Sequence, residues 1–185
     1  MRFKVHAALL AAAGSLALAC GSAGSPALAA SRSTSVQPGQ IVTIRNENGG
    51  KCLDMTGGST QRGTVAQIWG CILNQQQQQW TFLPSDAGTY LIMDMQDDEC
   101  LSIKNNVTNN VGLVIQWPCN FSGGDAWENW YVSGSVLSGN WGAIENQGDI
   151  GYYMHPDANE NKDGAQIYVN NARNSDAYNW GAVAA

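Results

Sequence analysis

The sequence predicts an all-β domain built from one unit written three times. Three observations carry that reading. Trp80, Trp130 and Trp180 stand fifty residues apart. They close the segments Gln78-Gln79-Trp80-Thr81-Phe82, Glu128-Asn129-Trp130-Tyr131-Val132 and Tyr178-Asn179-Trp180-Gly181-Ala182-Val183. The cysteines keep the same beat, with Cys52 and Cys71 nineteen apart, Cys100 and Cys119 nineteen apart, and the pairs offset by forty-eight. The phrase Ala66-Gln67-Ile68-Trp69-Gly70-Cys71 returns as Val114-Ile115-Gln116-Trp117-Pro118-Cys119 and, less closely, as Ala165-Gln166-Ile167-Tyr168-Val169-Asn170. A period of this length sets an architecture, because each unit is too small to bury its own apolar face and the copies must share a core.

The elements follow in order. Arg2 and Lys4 precede an uncharged apolar stretch, Ala7 to Ala19, and a small-residue region ending Pro26-Ala27-Leu28-Ala29-Ala30. This is the anatomy of a secretory signal peptide over residues 1–29, with Ala27 and Ala29 forming the A-x-A cleavage signal. The apolar stretch is too short to span a bilayer, which takes about 20 residues. Leu16-Ala17-Leu18-Ala19-Cys20-Gly21 is a loose lipobox, so a lipid anchor on Cys20 is the alternative to free secretion. Residues 30–40 are Ser-rich, end near Pro38-Gly39 and read as a flexible lead-in. The domain proper is 41–185, with copies at about 41–83, 90–132 and 142–183 and joints at 84–88 and 133–135.

Within each copy, short apolar bursts separated by Gly, Asn, Asp and Ser read as strands and turns. Copy one resolves into four: Ile41–Arg45, Lys51–Met55, Val65–Trp69 and Gln79–Leu83. The repeated tryptophans are the bulky residues of the shared core, and each buried indole N–H needs an acceptor. In an exported chain the four later cysteines form two disulfides, and the repeat selects Cys52–Cys71 and Cys100–Cys119. Each closes a loop worth about 3 kcal/mol. Copy three has Gly151 or a neighbouring tyrosine, and Asn170, at the cysteine places and must hold by packing.

Charge excludes some functions. The chain carries nine basic and fifteen acidic residues, net −6. Loss of Arg2 and Lys4 with the leader leaves seven against fifteen. No basic stripe is present to engage nucleic acid or an anionic membrane. Spacings of nineteen do not make a structural zinc site, and no metal or cofactor is expected. His155 is the one histidine outside the leader; it belongs to no nucleophile motif and is expected at the surface. Asp97-Asp98-Glu99 reads as a solvated hairpin tip.

The combination Cys52-Leu53-Asp54, Gln67-Ile68-Trp69-Gly70-Cys71 and Gln78-Gln79-Trp80 resembles one repeat of the ricin-type β-trefoil lectins, the Gln-x-Trp repeat family. Three such repeats cover nearly all of the mature chain. The resemblance implies a β-trefoil of about twelve short strands with pseudo-threefold symmetry, no catalytic role, and carbohydrate as the partner of a monomeric protein. A sugar presents an apolar C–H face and a rim of hydroxyls, so its capture takes an aromatic plate beside a few placed polar groups. The resemblance assigns hydroxyl recognition to Asp54, stacking to Trp69 and supporting amides to Gln67, Gln77 and Gln78. Copy two has Ser102 at the acid position and Ile115 at the amide position, leaving Trp117 without hydroxyl acceptors. Copy three keeps Gln166 and Tyr168. Aligned without gaps its acid position falls at Tyr153, and a shift of four brings Asp157 into a second site. A trefoil that binds protein, such as a protease or hydrolase inhibitor working through the loop Asn120 to Asp125, is the alternative.

Overall fold

The computed structural model describes residues 35–85, 88–108, 111–122, 125–171, 173 and 175–185, without the side chains of 105–108. The leader and Cys20 therefore lie outside the described residues. Twelve strands lie among the described residues, four to a copy as expected. Copy one holds β1 (Ile41–Asn46), β2 (Cys52–Met55), β3 (Ala66–Trp69) and β4 (Trp80–Pro84). Copy two holds β5 (Tyr90–Asp94), β6 (Glu99–Thr108), β7 (Val111–Pro118) and β8 (Trp130–Val132). Copy three holds β9 (Ile144–Asn146), β10 (Tyr153–Pro156), β11 (Ala165–Asn170) and β12 (Trp180–Ala184). One helical turn, Gly134–Leu137, fills the second joint.

The first and last strands of the copies close a barrel. β12 pairs with β1, β1 with β4, β4 with β5, β5 with β8 and β8 with β9, and a bridge between Gly142 and Trp180 returns the ring to β12. The middle strands form three hairpins, β2–β3, β6–β7 and β10–β11, and β11 reaches both β3 and β7 across the cap. A six-stranded barrel under three hairpins is a β-trefoil.

Trp80, Trp130 and Trp180 are wholly buried in one core cluster. Their indole N–H groups find acceptors in matching places: Leu53 O at 3.1 Å, Leu101 O at 3.0 Å and Met154 O at 2.8 Å. Each bond ties the last barrel strand of a copy to that copy's hairpin. The disulfides are Cys52–Cys71 and Cys100–Cys119.

The same bonds fix the true register of copy three. Leu53, Leu101 and Met154 are equivalent, so Tyr153 stands at the place of Cys52, and the acid position falls on His155 rather than Tyr153. The equivalent of Cys71 falls at residue 172, outside the described residues, not at Asn170. Packing alone is not what holds this end: the Arg173 guanidinium sits 5.3 Å over the Tyr153 ring, a cation–π contact beside the place of the missing cross-link.

Trp80→Phe removes a buried donor and leaves the Leu53 carbonyl unpaired beside a small cavity. It should cost about 2–4 kcal/mol in urea unfolding. Trp130→Phe and Trp180→Phe should cost similar amounts, and a much smaller loss at any one would break the equivalence of the three bonds.

Candidate functional site

Copy one forms an open hollow of about 380 Å³ lined by Asp54, Thr56, Gly57, Gln67, Trp69, Ile72 and Gln77. Four of the five residues expected at the first site line it, and the fifth, Gln78, lies directly behind. β2 and β3 pair so that Asp54 stands opposite Gln67. Gln67 Nε2 donates to Asp54 Oδ1 at 2.7 Å, and Gln78 Nε2 donates to Oδ2 at 2.9 Å. Gln78 also donates to Gly70 O at 3.1 Å and accepts from Ile72 N at 2.8 Å. Its amide is thereby fully used, as a brace between strands. Gln77 Oε1 accepts from Gln75 Nε2 at 2.8 Å.

Asp54 is 1% exposed. Burial pushes its carboxyl above the usual range, while hydrogen bonds from Gln67, Gln78 and Gln77 pull it back and the Asp163 charge adds a smaller upward push. These amide donors occupy only part of a carboxylate's accepting capacity of about four lone-pair directions. Asp54 contributes to the lining of the hollow. Trp69 is 39% exposed, so its ring is a surface plate and not core.

Another copy comes close to the plate. Gly164, in the turn between β10 and β11, donates its N–H to Ile68 O at 2.9 Å, and a methyl group placed on it would sit 3.9 Å from both Trp69 Cζ3 and Gln67 Oε1. Next to it, Asp163 pairs with Lys51 at 2.7 Å and accepts from Gly70 N at 2.8 Å. Those bonds hold the Asp163 carboxyl below its usual range, Lys51 foremost.

Residues 32–117 match the model of the ricin-type beta-trefoil lectin domain-like family. That stretch of the chain is similar to a ricin-type β-trefoil lectin-like domain. Among solved structures, it is similar to the Macrolepiota procera ricin B-like lectin in complex with lactose, at 15% identity and TM-score 0.64, over 82% of this chain and 100% of that one. It is similar to the C-half of the earthworm R-type lectin in complex with GalNAc, at 17% identity and TM-score 0.59, over 79% and 99%. It also resembles part of an exo-β-1,3-galactanase from Clostridium thermocellum, at 19% identity and TM-score 0.71; the match covers 81% of this chain and 31% of the enzyme. At these identities the likeness establishes the fold. No curated protein matches the sequence.

The other repeats of this β-trefoil keep the backbone and change the chemistry. In copy two Ser102 stands opposite Ile115, at the places of Asp54 and Gln67. Glu128 takes the place of Gln78, and its Oε2 accepts from Asn120 N as Gln78 accepts from Ile72 N. Trp117 is 45% exposed beside a hollow of about 410 Å³ that Ser102, Lys104, Asp125 and Trp127 also line. In copy three His155 stands opposite Tyr168. The ring of His155 stacks on Tyr178, centroids 4.6 Å apart, where copy one has Asp54 bonded to Gln78. His155 is therefore buried, not a surface residue, and burial lowers its pKa.

The echo Gln166-Ile167-Tyr168 is displaced by two residues: Tyr168 is at the place of Gln67, and Asn170 at that of Trp69. Gln166, Tyr168 and Asp157 still lie near one another. Tyr168 Oη donates to Gln166 Oε1 at 3.0 Å, and the Asp157 charge, after burial, raises the Tyr168 pKa. Asp97 and Glu99 are also less solvated than a tip would be. Asp97 accepts from Gln116 Nε2 at 3.0 Å, and Glu99 pairs with Arg62 at 3.1 Å.

Sequence reasoning missed Thr56, Gly57, Ile72 and the Asp163-Gly164 turn. The glycine pair was the available signal, since Gly57 and Gly58 both have positive φ (66° and 61°). A Cβ on Gly58 would come within 2.7 Å of Gln77 Oε1. Gly58→Ala should therefore lower the urea midpoint by an amount equivalent to about 1–2 kcal/mol. An unchanged midpoint would count against the turn geometry described.

Proposed function

We propose that the protein is a secreted, non-catalytic lectin that binds a sugar in the shallow hollow of the first repeat. The observation that carries the reading is the exposed Trp69 plate beside a buried carboxylate, Asp54, aligned by neighbouring amides and keeping accepting capacity. A pyranose ring laid on the indole would turn adjacent hydroxyls toward Asp54, with Gln77 at the rim. The named neighbours include two lectins whose ligands are lactose and GalNAc and an enzyme acting on β-1,3-galactan, so galactose-configured sugars are the first probes. An open site of this size binds one sugar weakly, and avidity comes from a multivalent glycan surface. Gln166, Tyr168 and Asp157 make a lesser second site that lacks a stacking plate in the register of Trp69. Export through the A-x-A signal fits the two disulfides. Intact mass settles its form: a diacylglycerol adduct on Cys20 would replace free secretion with a lipid anchor.

Trp69→Ala and Asp54→Ala should each abolish binding on a glycan array while leaving the circular dichroism of the domain intact; Trp69→Ala should melt like the parent, and Asp54→Ala, which strands two buried amide donors, should melt somewhat lower. Parent-like binding by both variants would refute the site. Enrichment of a protease from culture supernatant, with an empty array, would favour an inhibitor instead. The exposed Phe121, in the loop Asn120 to Asp125, is the feature that would serve it.

Asp54 also fixes the acid side of the pH profile. Only its ionised form accepts from hydroxyls on both oxygens, and its pKa lies above the ordinary carboxylate range. Binding measured by titration calorimetry should therefore weaken on acidification at a higher pH than an ordinary aspartate would dictate. A profile flat down to pH 3.5 would remove Asp54 from the site.

A further inference from the structure

The barrel carries one polar side chain at the same place in each copy, opposite a core tryptophan: Asn46 across from Trp180, Asp94 across from Trp80, and Asn146 across from Trp130. All three are buried. The two asparagines do the same thing. Their Oδ1 atoms accept the N–H two residues on, from Asn48 at 3.2 Å and Gly148 at 3.0 Å. Their Nδ2 atoms donate to two carbonyls of a neighbouring turn. Asn46 reaches Ala177 O at 2.8 Å and Asn179 O at 3.2 Å; Asn146 reaches Trp127 O at 2.9 Å and Asn129 O at 3.4 Å.

Asp94 keeps half of this pattern. Its Oδ1 accepts from Gln96 N at 2.8 Å. Its Oδ2 stands in the place of Nδ2, buried and with no hydrogen-bond partner among the described residues. The carbonyls at the matching positions are those of Gln77 and Gln79. The register is fixed by Met95 N, which donates to Gln79 O at 3.0 Å just as Glu47 N donates to Asn179 O and Gln147 N to Asn129 O. A carboxylate has no proton to give these carbonyls, and it would hold a charge against their lone pairs. A carboxylic acid supplies the donor.

We propose that Asp94 is folded in as a protonated acid and acts as a pH-sensitive latch on the turn that carries Gln77 and Gln78, closed below neutral pH and released above it. The latch is built from atoms of the scaffold; its effect on ligand rests on the first-repeat reading given above. Burial pushes the Asp94 carboxyl up to about 7. The Gln96 N–H opposes that shift, and the charges facing it, Asp97 and Asp98 of the turn after β5 and Asp54 of β2, add to it. The path to the site is short. Gln78 of the latched turn braces Asp54, and Gln96 Nε2 donates to Gly58 O at 2.7 Å, beneath the Gln77 side chain.

The sign follows from linkage. An unfolded aspartate titrates near 3.9, so between there and about 7 the folded chain keeps a proton that the unfolded chain has lost. The stabilisation from Asp94 is whole below about pH 4, declines as pH rises and is gone above about pH 7.

Asp94→Asn tests this by restoring the donor that the other two copies have. The parent and D94N should melt alike near pH 4. D94N should then gain several degrees over the parent as pH rises to about 7 and hold that gain beyond. On immobilised lactose, the parent should lose binding several-fold between pH 6 and pH 8.5, while D94N holds its binding over that range. D94N melting at or below the parent at pH 8 would overturn the latch, as would a ¹³C carboxyl resonance of Asp94 titrating near 4. Stabilisation of D94N with identical binding profiles would overturn the coupling to the site. Stabilisation with no sugar binding by either protein would confirm the latch and refute the lectin reading.

Discussion

Everything in this molecule hangs on three indole N–H groups donating inward to three backbone carbonyls. A buried tryptophan fills the core at the base of each copy, but filling alone would not set the hairpin above it. The bond from Trp80 to Leu53, and its counterparts to Leu101 and Met154, spans from barrel to cap within each copy. An unpaired indole N–H in this apolar core would cost on the order of 1–3 kcal/mol. The hairpins are therefore pinned in height and rotation, and the residue that follows the pinned one is set at a defined, buried place in each copy.

That pinning lets one backbone carry three chemistries. The position after the pinned carbonyl is Asp54, Ser102 or His155. Its cross-strand neighbour is Gln67, Ile115 or Tyr168, and the residue two before the tryptophan is Gln78, Glu128 or Tyr178. In copy one the trio is a carboxylate between two amide donors. In copy three it is an aromatic stack, filling with carbon the space that copy one fills with hydrogen bonds. Copy two buries a carboxylate, Glu128, whose pKa burial raises while Asn120 N–H opposes. Since each hairpin is already fixed by its tryptophan, no trio has to supply the fold, and each is free to differ.

The fold was legible because the tryptophans and cysteines are rigid markers. Their spacing gives the copy number, the disulfides and the strand count, and in copy one the strand ends fall within a residue of those read from the sequence. Most residues lining the candidate hollow were legible too: Asp54, Gln67 and Trp69 are short, fixed distances from Cys52 and Cys71. Copy three lost its cysteines, and without them the phrase Gln166-Ile167-Tyr168 drew the eye to the wrong register by two residues. The strand pairing obeys a different constraint, which keeps Ile167 and Val169 inside and so puts Tyr168 opposite His155. Polar character misled as well. His155 and Asp97 look solvent-bound in a linear reading, yet one is stacked in the fold and the other takes a buried amide hydrogen bond from Gln116.

The contribution of Gly164 and Asp163 could not have been found by reading copy one more closely. Two adjacent residues about a hundred positions away in the chain contribute here, Gly164 beside the Trp69 ring and Asp163 with the bond from Gly70 N. Those contacts form only when the barrel closes, when β12 pairs with β1 and the cap strand β11 lies against β3. The hollow of the first repeat is thus a property of the closed trefoil rather than of the repeat that names its residues. The polar trio comes from copy one, the turn beside its aromatic plate from copy three, and the strand behind its turn from copy two. A lone repeat with the same motif would hold Asp54, Gln67 and Gln78 close in sequence yet leave the ring of Trp69 without that neighbouring turn. This is a physical reason for the chain to keep three copies while only one keeps the full set of polar groups.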